Sequence, residues 1–203
     1  MKKFTDLTLE SYLNELASDA PVPGGGSVSA YVGSMAMGLT QMVGRISLKR
    51  KKKNLSSEEE KQDTARKATI EKIVTALEKT KRDAFQIVNL DPQVYQEVMD
   101  SYSDPAKLED SLQDSFRLQA DLTFLIVMAK EWNNAMADLV SGSIKNDLLV
   151  SAALLEAAFR GAYHTAMINV VYMKNAERKS QAEKALAELK HRFEKGAPLH
   201  ARS

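Results

Sequence analysis

Residues 21–34 read Pro21-Val22-Pro23-Gly24-Gly25-Gly26-Ser27-Val28-Ser29-Ala30-Tyr31-Val32-Gly33-Ser34. Two prolines and three glycines run without a break into a helix-period pattern of small residues. Ser27 is a good N-cap, because its hydroxyl can accept from a free N–H of a first helical turn. A loop therefore delivers the chain into a helix that is predicted from Ser27 to about Lys51. Glycine serves where φ is positive or where something must approach the backbone closely, and a helix N-terminus attracts anions. The three glycines leave two readings open, a tight turn between helices and a loop that faces a ligand. Inside the helix, Ser27, Ser29, Ala30, Gly33, Ser34, Ala36 and Gly38 form a lattice of small residues. Each interior glycine costs about 1 kcal/mol against alanine, so Gly33 and Gly38 imply close approach of another helix or of a flat ligand.

The same period extends outward in both directions. Thr8 can cap a short helix, Leu9–Ala17, in which Leu9, Tyr12, Leu13 and Leu16 share a face. Ser56-Ser57-Glu58-Glu59 resembles a capping box, and the helix it opens is predicted to reach about Asn89 with Ile70, Ile73, Leu77, Ala84 and Ile87 inward. Pro92 and Pro105 suit first helical turns. They predict a short helix and then a long one, from about Ala106 to Val140, closed by Ser141-Gly142-Ser143. Asn146 or Asp147 starts the most apolar helix, running to about Asn175. A charged amphipathic helix from Glu177 to Lys195 ends at Gly196 and Pro198. The fold class is all-α, a bundle of long antiparallel helices in a single domain over residues 1–203, with 196–203 expected to lack fixed structure.

Composition narrows the function. A formal net charge of +1 on 203 residues gives no basic field for nucleic acid. There is no cysteine, which removes thiol nucleophiles and cysteine metal sites and fits a cytoplasmic protein. No signal-like core follows the first lysines, and the apolar stretch from Leu148 to Met173 is interrupted by Glu156, Arg160 and His164, so no membrane partner is expected. The small-residue faces and this apolar helix exceed what a thin bundle buries alone, and a homodimer is expected.

Chemistry must then come from carboxylates, histidines and hydroxyls. His191 and His200 lie in the charged C-terminal part and read as solvated, and His164 on the apolar helix reads as a hydrogen-bonded core residue. No histidine pair has metal-ligand spacing, so no metal is expected. Asp147 stands in the first turn of the apolar helix, where a carboxylate also simply suits the dipole. Asn169 shares its face but lies roughly 33 Å further along at 1.5 Å per residue. Both can serve one ligand only at its opposite ends or in sites shared between subunits. Asp91, before Pro92, is a turn residue or an acid.

Three separated segments resemble the formiminotetrahydrofolate cyclodeaminase and methenyltetrahydrofolate cyclohydrolase family. Pro21 to Val28 is similar to its P-x-P-G-G-G-S-V signature and is followed by the basic run Lys49 to Lys53. Asp91-Pro92-Gln93-Val94-Tyr95 is similar to its D-A-x-A-F/Y segment. Asn146-Asp147-Leu148, Val150, Ala152-Ala153, Leu155-Glu156, Gly161-Ala162-Tyr163 and Ile168-Asn169 follow its S-D-L-x-V-A-A…E…G-A-Y…I-N pattern, with Asn146 in place of Ser and Thr165 where Asn is common.

The resemblance implies a folate enzyme without a further cofactor, either closing 5-formiminotetrahydrofolate with loss of ammonia or opening 5,10-methenyltetrahydrofolate with water. It implies Asp147 as the main acid–base residue, with Asp91 as runner-up or as the partner that positions the pterin. It implies substrate contacts from Pro23, Gly24, Gly25, Gly26, Ser27, Asn146 and Asn169, and contacts from Lys51, Lys52 and Lys53 to a polyglutamate tail. The alternative, which the changes at Asn146 and Thr165 support, is a bundle of the same family that binds a folate or a partner without turnover.

Overall fold

Thr8 accepts a hydrogen bond from the Ser11 N–H and, after a short turn of 3-10 helix at Phe4–Asp6, opens α1 (Leu9–Leu16). The glycine loop leads into α2 (Gly25–Lys49). The reciprocal pair of Ser56 and Glu59 opens α3 (Ser57–Asp100), and the Asp104 carboxylate opens α4 (Pro105–Leu139). The apolar helix α5 (Lys145–Tyr172) and the charged α6 (Ala176–Lys195), capped by Asn175, complete the chain. This computed structural model describes residues 3–50 and 55–196. Lys51, Lys52, Lys53, Pro198, His200 and the tail from residue 197 lie outside them. No strand occurs among the described residues, so the all-α bundle read from the sequence is the fold.

Helices α2, α3, α4 and α5 pack as neighbours around the main core, and α6 lies against α4 and α5, where Val98, Phe116, Val170 and Leu186 belong to a second buried cluster. Ile70, Ile73, Leu77, Ala84 and Ile87 of α3 all face inward. Helices α2 and α5 run antiparallel. Ser29 meets Gly161, the Ser151 hydroxyl donates to the Ala36 carbonyl at 2.8 Å, and Arg50 donates to the Ser141 carbonyl at 2.9 Å. A Cβ on Gly33 would stand 3.3 Å from Ile126 and 3.6 Å from Ala158, so Gly33 serves helix packing. Gly38 does not, since nothing comes within 4 Å of its missing Cβ.

Several local expectations are corrected. Helix α3 does not stop near Asn89 but continues through Pro92 to Asp100. Helix α2 begins at Gly25, with Gly24 rather than Ser27 as its N-cap. Helix α5 ends at Tyr172, and Asn175 caps the next helix instead. Of the residues that share a face of α1, Tyr12 is buried, but Leu9 and Leu13 are exposed. His164 is exposed, not in the core.

One face stays apolar and open. On α2 it carries Val28, Val32, Met35, Leu39, Met42 and Ile46 at alternating spacings of four and three residues, all half-buried or exposed. Val150, Leu154, Ala157, Gly161, His164, Ile168 and Val171 repeat the spacing on the neighbouring α5, again half-buried or exposed.

Candidate functional site

Pro92 sits inside α3 and has no N–H, so the carbonyl of Val88, four residues earlier, lacks its helical donor. The Ser27 hydroxyl supplies one at 3.0 Å. That spends the only proton of Ser27. The Tyr12 hydroxyl, 3.2 Å from Ser27 Oγ, must therefore be the donor in their contact. Burial raises the pKa of Tyr12, so it stays a neutral donor.

The next residue but two on α3 completes the junction. Asp91 is 8% exposed. Its Oδ2 accepts the backbone N–H of Ser27 at 2.9 Å, and its Oδ1 accepts Nε2 of Gln119 from α4 at 2.7 Å. The Ser27 N–H is one of the free donors in the first turn of α2. The cap expected from Ser27 thus comes from a carboxylate on another helix, placed at the positive end of the α2 dipole. Burial pushes the Asp91 carboxyl up from its ordinary value, and the bonds from Ser27 and Gln119 pull against that shift. Gln119 is fully buried, and its Oε1 has no hydrogen-bond partner among the described residues.

The three glycines have different reasons. A Cβ on Gly26 would collide with the Asp91 carboxylate and the Gln119 amide, so this glycine makes room for the acid. Gly24 is extended, at φ −115° and ψ −160°. Gly25 is exposed, and its missing Cβ would lie 3.6 Å from Thr165 Oγ1. Thr165 donates to the Gly161 carbonyl at 3.0 Å, and one turn on Asn169 donates from Nδ2 to the Thr165 carbonyl at 2.9 Å. Pro23 is buried beneath the loop.

One end of the bundle therefore gathers Pro23, Gly24, Gly25, Gly26, Ser27, Asp91 and Asn169. Asn146 and Asp147 do not join them. They lie in the first turn of α5, exposed and half-buried respectively. The Ser141–Gly142 turn just before them is held by Arg50, with Gly142 in the left-handed region at φ 86°. Asp147 stands about 27 Å along α5 from Thr165 at 1.5 Å per residue. Tyr12 and Gln119 escaped the sequence reading as site residues. The spacing of Pro92 to Val88 was a readable signal of a freed carbonyl, while a lone Gln on an amphipathic helix carries none.

Chemically, the junction holds one buried carboxylate between two fixed donors, able to offset a nearby positive charge or to move a proton. Among the described residues no three histidine or carboxylate side chains come together as metal ligands, and no helix is long and apolar enough to cross a membrane.

Comparison with known proteins follows the same helices. Residues 8–188 match the model of the family described as Formiminotransferase-cyclodeaminase. A methenyltetrahydrofolate cyclohydrolase of Methylorubrum extorquens is 23% identical, covering 96% of this chain and 93% of its own. A formimidoyltransferase-cyclodeaminase of Gallus gallus is also 23% identical over 94% of this chain, but this chain spans only 36% of that protein. The crystal structure of a formiminotetrahydrofolate cyclodeaminase from Thermotoga maritima has the same fold, with a TM-score of 0.85, 24% identity and coverage of 96% of this chain and 93% of that one.

Proposed function

The chain belongs to the formiminotransferase-cyclodeaminase family, and from that membership we propose that it is a folate one-carbon enzyme. It acts on the carbon held at N5 and N10 of tetrahydrofolate, as a methenyltetrahydrofolate cyclohydrolase or a formiminotetrahydrofolate cyclodeaminase. The observation that carries this reading is the end-to-end match to the Methylorubrum cyclohydrolase, which covers nearly all of both chains. The folate derivative is the substrate, and the reaction uses no further cofactor.

The delocalised methenyl cation is the substrate of the hydrolysis and the product of the cyclodeamination, and a preorganised carboxylate in a water-poor site stabilises such charge far better than water does. Burial and fixed orientation support giving this role to Asp91. The same carboxylate can relay a proton to the leaving nitrogen or from the attacking water. Gly24 and Gly25 leave the backbone open beside it, with Thr165 and Asn169 as the polar side of the approach.

Asp147 and Asn146 enter the reaction from a second copy. The apolar stripes of α2 and α5 support an isologous homodimer. A two-fold axis across the middle of antiparallel helices sets the Gly25 end of one copy against the Asp147 end of the other. Asn146 and Asp147 of one subunit then complete the site around Asp91 of its mate, with Lys51, Lys52 and Lys53 left for the distal glutamates of a polyglutamate tail. The cysteine-free composition supports a cytoplasmic location.

The near-ultraviolet absorbance of the methenyl cation tests the reading directly. Its decay with enzyme marks a cyclohydrolase, and its appearance from the formimino substrate marks a cyclodeaminase. Folate binding with neither signal refutes the catalytic reading and leaves the binding bundle.

A further inference from the structure

The seam between α2 and α3 does not end at Ser27 and Asp91. One turn along α2 from Ser27, Tyr31 faces Phe85 of α3, with ring centroids 5.8 Å apart and planes inclined by 33°. These two rings and Met35 line an open cavity of about 380 Å³ whose far end carries Glu78, Lys81 and Arg82. Its size is that of a small-molecule site, and its walls are mostly apolar with a few charged groups at one end.

The charges at that end are not balanced. Glu78 is already engaged: it accepts from Gln41 Nε2 and Arg45, each at 2.9 Å, and lies 3.4 Å from Lys81. The Gln41 bond, with Lys81 and Arg45 nearby, holds its carboxyl below the ordinary range. Lys81 also donates to Gln41 Oε1 at 2.8 Å. Arg82 is exposed and makes no ion pair among the described residues. An aromatic slot that opens onto an unpaired guanidinium is complementary to a flat ring bearing a carboxylate, because the planar fork matches carboxylate geometry.

We propose that this groove binds an aryl carboxylate, and, resting on the folate reading above, that it takes the p-aminobenzoylglutamate arm of the substrate. The benzoyl ring lies against Tyr31 and Phe85, and the first glutamate carboxylate meets Arg82 and Lys81. Along α3 at 1.5 Å per residue, Phe85 is about 9 Å and Arg82 about 14 Å from Asp91. The arm thus lies along the seam at the level of these residues, with Tyr12, whose ring is 5.2 Å from that of Tyr31 and whose hydroxyl reaches Ser27, standing between the groove and the buried carboxylate. Further along α2, Arg45, paired with Glu78 at 2.9 Å, and Lys49 are exposed cations on the same helix.

The probe is p-aminobenzoyl-L-glutamate, titrated calorimetrically into the full chain and into its Arg82→Glu variant, with benzamide as the ring-only control. Arg82 is exposed, so the variant should keep its circular dichroism spectrum. Loss of a charge-assisted carboxylate contact should weaken the probe about tenfold or more while benzamide binding is unchanged. With methenyltetrahydrofolate monoglutamate the variant should raise KM by a similar factor and leave kcat within about twofold. Probe binding that is absent, or equal in the two proteins, overturns the groove assignment even if folate is turned over. Arg82-dependent probe binding without any folate turnover keeps the groove and removes the folate reading. A variant that sediments as a monomer, where the parent does not, assigns the groove to a second copy and also overturns the proposal.

Discussion

Replacing Ser27 with alanine should destabilise the protein through two groups that the serine hydroxyl alone serves. The Val88 carbonyl has no helical donor because Pro92 lacks an N–H, and it takes the Ser27 proton at 3.0 Å. The buried Tyr12 hydroxyl donates to the same Ser27 oxygen at 3.2 Å. A buried polar group left unpaired costs about 1–3 kcal/mol, so with two such groups Ser27→Ala should cost about 2–6 kcal/mol. The bond from the Ser27 backbone N–H to Asp91 survives the change. Pro92→Ala gives the decisive comparison. It restores an N–H pointed at Val88, and it relieves an interior helix of proline, which by propensity alone is worth up to about 3 kcal/mol. In that background Ser27→Ala loses only the Tyr12 contact, and its cost should fall by about 1–3 kcal/mol. Urea unfolding of the four proteins, followed by far-ultraviolet circular dichroism at one fixed protein concentration, measures the cycle. If Ser27→Ala costs the same in both backgrounds to within about 0.5 kcal/mol, the limit of ordinary additivity, then Val88 does not depend on Ser27 and this account of the junction is wrong.

Asp91→Asn should lower kcat by about 10²–10⁴ in a folded protein. Because burial raises the Asp91 carboxyl and activity needs its ionised form, the parent should gain activity as pH rises through a value above the ordinary ~3.9. That acid limb should vanish from the residual rate of Asp91→Asn, and its persistence there, or its loss in Asp147→Asn instead, exchanges the two roles. Asp63, held at about 2 by Lys67 and Arg66, has a folded value below its unfolded one. Its stabilisation is present above about pH 4 and lost as pH falls toward 2. Asp63→Asn should therefore flatten the dependence of the urea midpoint on pH in that window, and an unchanged slope would refute the assignment. Met42→Glu, in the exposed stripe of α2, should give a folded monomer by sedimentation, whereas a parent that is itself monomeric at micromolar concentration removes the dimer proposal.

Most of the fold was legible because its determinants are local. The spacing of Ile70, Ile73, Leu77, Ala84 and Ile87 marks one buried stripe of α3, and the caps at Thr8 and Ser56 mark helix starts through bonds that span only three residues. The errors at Ser27 and Pro92 have one common cause. Local rules assign Ser27 to capping its own helix and Pro92 to opening a new one, yet the helix broken by the proline is repaired by the serine, and the helix that the serine should cap is capped by Asp91, 64 residues away. Each residue is irregular alone and satisfied only in the pair. The same holds for the candidate site. The glycine loop and Asp91 were each visible as candidates, and the separation of Asp147 from Asn169 followed from helical rise alone. Gln119 was not visible, because its role exists only where α4 crosses the gap that Gly26 leaves open. A carboxylate that fixes the start of one helix while it sits in the interior of another is held from both sides. That rigidity is what electrostatic preorganisation requires, so a change at Gly26, Gln119 or Pro92 should reach the chemistry through the orientation of Asp91.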